Sequence, residues 1–322
     1  MRVLVTGGAG FIGSVTAAAL LAEGHDVVVL DDLSRGHREL VPEGATFVEG
    51  ATDDAGAVAQ ALSGGVDACL HFAALIEAGE SMKVPERFFA VNTGATLRLL
   101  EWLLLAGVDR FVLSSTAAVY GEPRGVPITE DAPTEPTNAY GASKLAVERA
   151  LPWLAELRGL RYAALRYFNA CGATPERGED HEPETHLIPL VLAAAAGRRE
   201  RIDVFGTDYP TRDGTCVRDY VHVADLASAH VAALHALDDE REVVCNLGSE
   251  TGFTVREVIA AAERVTGRTV PVVDASRRAG DPATLVASRQ RAASLLGWQP
   301  AWTDLDGIVA SAWRWHRHRW GL

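Results

Sequence analysis

The strongest constraint on the fold lies at the very start of the chain. A β-branched run at 2–6 leads into Thr6-Gly7-Gly8-Ala9-Gly10-Phe11-Ile12-Gly13, after which residues 11–21 carry helical apolar spacing. Glycines at 7, 10 and 13 between a strand and a helix permit a tight turn, close approach of backbone N–H groups to a pyrophosphate, and close helix–sheet packing. Gly24 ends the helix, a second apolar strand follows at 26–30, and Asp31 stands at its C-terminal end. That is near the offset of about 20 residues at which a carboxylate meets a ribose 2′-hydroxyl. A glycine pattern alone is weak; in this setting it predicts a dinucleotide site built on Gly7, Gly10, Phe11, Ile12, Gly13, Asp31 and Asp32. Two adjacent carboxylates repel a 2′-phosphate, so the pattern favours NAD over NADP.

The alternation continues with strands at 46–49, 67–71 and 110–113 and helices at 54–62 and 85–105. Strands this continuously apolar are covered on both faces. The reading is therefore an α/β fold, a Rossmann-type doubly wound parallel sheet with right-handed crossovers. Past a strand at 161–167 the pattern loosens: 172–185 is polar, then helices at 187–196, 224–236 and 255–265 alternate with short strands at 203–205 and 243–246. This predicts a smaller mixed α/β C-terminal lobe. The expected division is 1–170 for the NAD-binding domain and 171–322 mainly for the substrate lobe, with some segments returning to the first domain.

In the helix at 85–105, Phe88, Phe89, Leu97, Leu99, Leu100, Trp102, Leu103, Leu104 and Leu105 spread over more than one face. Such a helix must be covered on two sides. The sheet supplies one; the other is the small lobe or a second copy of the chain, and the homodimer is the preferred reading. A net charge of −13 offers no field for a phosphate backbone, so nucleic acid is not an expected partner. Cys69, Cys171, Cys216 and Cys245 are scattered and read as reduced thiols; Met1 leads directly into a strand, and no run suggests a membrane span. A cytoplasmic protein with no membrane contact is expected. Trp313, Trp315, His316, Arg317, His318 and Trp320 read as a last amphipathic helix with a basic end. No metal site is expected.

Residues 116–138 are rich in Pro, Gly, Thr and Glu and form a loop after a strand, the place where α/β sheets hold ligands. Beyond it, Tyr140 and Lys144 in Tyr140-Gly141-Ala142-Ser143-Lys144 are four apart and share a helical face. A cation beside a phenol favours phenolate and so makes a general base. The same spacing occurs on ordinary helix surfaces, and the pair alone leaves both readings open.

Further segments carry a resemblance. They are His71-Phe72-Ala73-Ala74, then Leu113-Ser114-Ser115-Thr116-Ala117-Ala118-Val119-Tyr120-Gly121, then Arg166-Tyr167-Phe168-Asn169. The last are Asp208-Tyr209-Pro210-Thr211, Gly214 through Leu226, and Arg277-Arg278-Ala279-Gly280-Asp281. With the glycine turn and the Tyr140 segment, these resemble the UDP-galactose 4-epimerases of the extended short-chain dehydrogenase/reductase family over nearly the whole chain. The resemblance implies a triad of Tyr140, Lys144 and Thr116, and Phe72, Ala73, Ala74, Asn92, Ser114 and Tyr167 around the cofactor. It also implies Phe168, Asn169, His186, Leu187, Arg218, Arg278 and Asp281 around a UDP-sugar, with both arginines on the diphosphate.

The activity it implies is NAD-dependent epimerisation at C4 of a UDP-hexose, interconverting UDP-galactose and UDP-glucose through a transient 4-keto sugar. Epimerisation of UDP-N-acetylhexosamine or UDP-pentose is the alternative. A nucleotide-sugar 4,6-dehydratase is disfavoured because Thr116 precedes Ala117-Ala118 where that family has Asp-Glu, and a non-catalytic NAD-binding regulator because the triad is complete. Three positions depart from the pattern or leave it open. Ala51-Thr52 replaces Asp-Ile, so the usual adenine contact falls to Asp53 or Asp54; Ile76 replaces a lysine; and Leu285, near the gate for the sugar 2-substituent, is of intermediate size.

Overall fold

The computed structural model describes residues 1–278 and 281–322. Six strands alternate with helices through the first half: β1 (Arg2–Thr6), β2 (Asp26–Asp31), β3 (Thr46–Glu49), β4 (Ala68–His71), β5 (Arg110–Thr116) and β6 (Arg161–Tyr167). Eight shorter or later strands follow: β7 (Asn169–Cys171), β8 (Ile202–Phe205), β9 (Val217–Arg218), β10 (Tyr220–His222), β11 (Glu242–Leu247), β12 (Phe253–Thr254), β13 (Val272–Ala275) and β14 (Thr284–Leu285). The main sheet has the order β3-β2-β1-β4-β5-β6-β11, parallel throughout.

The period of two along each strand divides two buried layers. Val3, Val5, Val27 and Val29 face the layer completed by Leu226, Ala229 and Leu234 of the helix Val223–Ala236. Leu4, Val28 and Leu30 face the other, with Val58, Leu99, Leu100, Leu103, Val147 and Leu151. Each of those leucines contributes roughly 1.5–3 kcal/mol by leaving water. From later in the chain, the helix Val223–Ala236 packs on the helix Phe11–Ala22, β11 forms an edge of the main sheet, and Ala292 and Trp298 join the same layer.

The helix Pro85–Leu105 is unbroken but not uniform, because Phe89–Ala95 is π-helical. By length and composition it is apolar enough to cross a membrane, which the sequence reading passed over; here Phe88, Leu99, Leu100 and Leu103 are buried inside the protein. Its other face is open: Phe89, Leu97 and Leu105 are exposed, and the small lobe does not cover them.

The second lobe has its own core, in which the helices Leu187–Ala195, Val255–Thr266 and Leu305–Trp320 meet through Val191, Leu192, Val258, Ala262, Ile308 and Trp313. Thr254 and Glu257 cap the second of these reciprocally. The C-terminal helix buries Trp313 and Trp315, stacks His316 on Trp320, and ends on Arg317, His318 and Arg319. All four cysteines are buried and free.

Candidate active site

A cavity of about 390 Å³ opens at the C-terminal ends of the central strands. Gly7, Gly10, Phe11, Ile12 and Gly13 line it after β1, Asp31 and Asp32 after β2, Phe72, Ala73 and Ala74 after β4, Ser114 and Thr116 on β5, and Tyr167 on β6. A Cβ on Gly13 would stand 2.2 Å from the Gly7 carbonyl oxygen, so only glycine lets the helix begin this close to the turn. The helix Phe11–Ala22 has no side-chain cap. Its first-turn N–H groups and dipole make that end an anion site, which suits a pyrophosphate.

Asp31 accepts N–H groups from Ala9 and Leu33, both at 2.9 Å, and so ties the glycine turn to the end of β2. Burial holds its carboxyl above the usual range, with those N–H groups opposing. Arg35, the cation in the same wall, pairs with Glu77 at 2.9 Å and donates to the Glu182 carbonyl. Two carboxylates, with the neighbouring cation already paired, favour a ribose bearing a free 2′-hydroxyl over one bearing a 2′-phosphate.

Asn92 stands outside the lining. Its side chain accepts from Leu75 N at 2.8 Å and donates to Leu75 O at 2.9 Å and Ser143 Oγ at 3.0 Å. The widened turn at Phe89–Ala95 lets it join the loop after β4 to the helix Ala139–Arg158.

Asn138 caps the helix Ala139–Arg158 through Gly141 N at 2.8 Å. Gly141 then packs against the turn Ala117–Tyr120, where a Cβ would meet the Ala118 oxygen at 2.5 Å. This contact brings Thr116 beside Tyr140. Desolvation holds the Tyr140 phenol above its ordinary pKa, the Thr116 hydroxyl pulls it down, and the charge of Glu77 pushes it up. Lys144 lines the same cavity, and its Nζ donates to the Ser114 carbonyl at 2.9 Å, which leaves further N–H donors on the ammonium. The lysine is buried, which lowers its pKa to about 8 against the opposing charge of Glu148.

Beneath the pair, Ser114 hydrogen-bonds the Tyr167 hydroxyl, and His71 bridges Thr6 at 2.7 Å and Thr96 at 2.8 Å. Burial and the charge of Lys144 drive His71 down to about 3, so it stays neutral. Glu148 takes both Nε and Nη2 of Arg166, and Arg166 reaches Tyr120 at 2.9 Å. A buried ion pair this fully hydrogen-bonded fixes the strand ends under the site.

A second cavity of about 310 Å³ abuts the first and shares Asn169, Ala170 and His186 with it. Leu187, Arg218, Arg278 and Asp281 line it. Arg218 pairs with Asp281, Arg278 lies 3.9 Å over the Phe205 ring, and Asn169 donates to the Asp219 carbonyl at 2.9 Å. Phe168 lines the first cavity. Burial pushes His186 down, and Glu179 and Glu184 outweigh it, holding the imidazole well above its ordinary value. Ala279 and Gly280, part of the quoted Arg277 segment, lie outside the described residues.

Residues 3–248 match the family described as NAD dependent epimerase/dehydratase. The chain belongs to that family. It is 49% identical to the UDP-glucose 4-epimerase of Lacticaseibacillus casei over 322 residues, 99% of this chain and 97% of that one. Against the enzyme of the same name from Streptomyces lividans it is 51% identical over 317 residues, 98% of this chain and 96% of that one. The crystal structure of UDP-glucose 4-epimerase from Bifidobacterium longum in complex with NAD⁺ and UDP superposes with a TM-score of 0.94 at 36% identity, covering 99% of this chain and 98% of that one.

Within this epimerase/dehydratase chain the two replacement carboxylates separate. Asp53 lines the dinucleotide cavity beside Ala51 and Thr52, whereas Asp54 caps the helix Ala55–Leu62. Ile76 lines the same cavity, and Leu285 packs with Tyr120 and Ile128. The sequence reading missed Ser34, Arg35, Glu77, Glu179 and His181 as wall residues. The last two carried a signal, since Glu179, His181, Glu184 and His186 fall as E-x-H-x-x-E-x-H.

Proposed function

We propose that this chain interconverts UDP-galactose and UDP-glucose by NAD-dependent epimerisation at C4, through a transient 4-keto sugar. The observation that carries the reading is the meeting of two cavities: the one lined by the glycine turn, Thr116 and Tyr140 abuts the one lined by Arg218 and Arg278. Residues 1–170 hold the dinucleotide, and the later lobe holds the uridine diphosphate.

Tyr140 takes the proton of the sugar 4-hydroxyl, and Thr116, short and uncharged, bridges that oxygen to the phenol. NAD, held by the glycine turn and Asp31, would supply a hydride acceptor for C4 and give the hydride back, with no net redox. Arg218 and Arg278 keep hold of the diphosphate while the keto sugar turns over between the two hydride transfers. Asp281 releases Arg218 to the phosphates and is freed for the uridine ribose. Desolvation opposes the Tyr140 phenolate, so positive charge brought beside the phenol favours its action as a base. Ala117-Ala118 offer no second acid or base, so the oxidation is reversed and not followed by elimination.

The same proposal places the chain in the cytoplasm as a homodimer. Buried free cysteines support the first. The second is supported by the exposed Phe89, Leu97 and Leu105 of one helix and Trp153 and Leu157 of another.

The test is incubation with UDP-galactose, without and then with added NAD, and detection of UDP-glucose. Conversion in either case supports the reading, and rescue by NAD alone assigns weak retention to the Ala51 departure. No conversion with NAD present rejects it; UDP-N-acetylgalactosamine run in parallel decides the alternative sugar class.

A further inference from the structure

The segment between β7 and the helix Leu187–Ala195 brings Glu179, His181, Glu184 and His186 together, with one donor atom of each within 4.8 Å of the others. His186 Nδ1 lies 2.6 Å and His181 Nδ1 3.3 Å from Glu179 Oε1, and Glu184 Oε1 lies 3.0 Å from His186 Nδ1. The N–H groups of Thr185 and His186, at 2.7 and 2.8 Å, fix the Glu184 carboxylate. Glu179 is 4% exposed. His181 Nδ1 is buried and faces the buried Glu179 carboxylate at 3.3 Å, with no further partner among the described residues.

We infer that Glu179, His181, Glu184 and His186 bind one divalent transition-metal cation of the zinc class. Two imidazole nitrogens and two carboxylate oxygens suit a borderline ion better than Mg²⁺ or Ca²⁺, which prefer oxygen alone. Donors on tetrahedral bonds of about 2.0 Å stand roughly 3.3 Å apart. The observed 2.6, 3.0 and 3.3 Å lie close to that spacing, and every other donor pair lies within 4.8 Å, so small shifts in both directions bring the four onto one ion.

The location gives the ion a structural task. Glu179, His181 and His186 line the dinucleotide cavity, and His186 also lines its neighbour. The segment is already held from outside by Arg35 on the Glu182 carbonyl at 2.8 Å and by Arg319 on Asp180 at 2.7 Å. A cation would fasten its inner side, at the seam of the two cavities. The inference does not depend on the sugar-nucleotide reading.

The test uses the full-length protein, saturated with NAD and stripped of metal by a chelator, then titrated with Zn²⁺ by calorimetry. Glu23, His25 and His235 form a more exposed cluster at the opposite end of the sheet, so the measurement is made in a His235→Ala background. The expected result is one equivalent of Zn²⁺ and a raised melting temperature. His181→Asn and Glu184→Gln should each weaken binding by at least about 100-fold, the upper end of what loss of an outer-shell partner costs. Circular dichroism checks folding, and should His181→Asn not fold, Glu184→Gln decides alone. Absence of binding in the His235→Ala protein, or binding unchanged by these substitutions, overturns the site.

Discussion

Lys144 Nζ donates to the carbonyl oxygen of Ser114 at 2.9 Å, although Tyr140 stands one turn back on the same helix. The bond ties the helix that carries the phenol to the strand that carries Thr116. Lys144→Met keeps most of the apolar volume but removes this tie to the carbonyl, and should weaken both NAD binding and turnover. Because burial lowers the lysine to about 8, NAD affinity of the wild-type protein should fall as pH rises through that value. The Met variant should lack the inflection, which NAD titrations over a bracketing pH range will read.

Tyr140→Phe should lower kcat by roughly 100- to 10,000-fold, the usual contribution of a positioned general base. Thr116→Ala removes one hydrogen-bonding hydroxyl and should cost about 3- to 10-fold. Thr116 Oγ1 also accepts Ala118 N at 3.1 Å, so Thr116→Ser, which keeps that contact, separates chemistry from the turn. Equal loss in the Phe and Ala variants would give Thr116 a larger part than a bridge.

Gly13→Ala places a methyl group 2.2 Å from the Gly7 oxygen. The turn must shift, at about 1–3 kcal/mol of stability, and the N–H groups move with it. The protein should remain folded by circular dichroism while NAD binding, read by fluorescence, is lost.

His222 caps the helix Val223–Ala236 by accepting Ala224 N on Nδ1 at 3.1 Å, and its Nε2 meets Ser311 Oγ at 3.1 Å. Burial holds its pKa near 4, against 6.5 for the free side chain. The unfolded chain therefore binds the proton first: stability is full above 6.5 and declines as pH falls towards 4. The decline is worth up to about 3 kcal/mol. His222→Asn retains a capping acceptor and should flatten part of this acid limb in thermal melts; His71 and His230, also lowered by burial, and Glu179, held low against burial by its histidine neighbours, contribute to the remainder.

Trp153 and Leu157 are 65% and 70% exposed, one turn apart on the helix Ala139–Arg158. Leu157→Glu should convert a dimer to a monomer in sedimentation equilibrium without loss of helical signal. A monomeric wild-type protein would end the dimer reading.

How far the sequence was legible follows from what each segment buries. The strands Arg2–Thr6, Thr46–Glu49 and Arg161–Tyr167 have the ends that their apolar runs predict. The strand Arg110–Thr116 runs three residues past the predicted end, because Ser114, Ser115 and Thr116 are polar by composition yet buried, with Tyr167 and Glu148 satisfying the first two. The glycine turn was readable because backbone geometry there excludes other residues. The direction of the Lys144 side chain was not, since spacing places a residue on a face without saying which acceptor its end will find. The Glu148 and Arg166 pair was missed for a related reason: its partners lie 18 residues apart and meet only when helix and strand pack.

The turn at Phe89–Ala95 makes chain length itself a constraint. A π-helical turn accommodates one residue more than the α-helical path through the same space. Deleting one residue there would return the chain to the α-helical path and leave Leu99, Leu100 and Leu103 in register on the sheet. The change would fall on the turn itself, where Asn92 holds Leu75 and Ser143. Substitution at the exposed Gly94 alters one side chain, whereas a single-codon deletion would loosen the cofactor loop and spare the core.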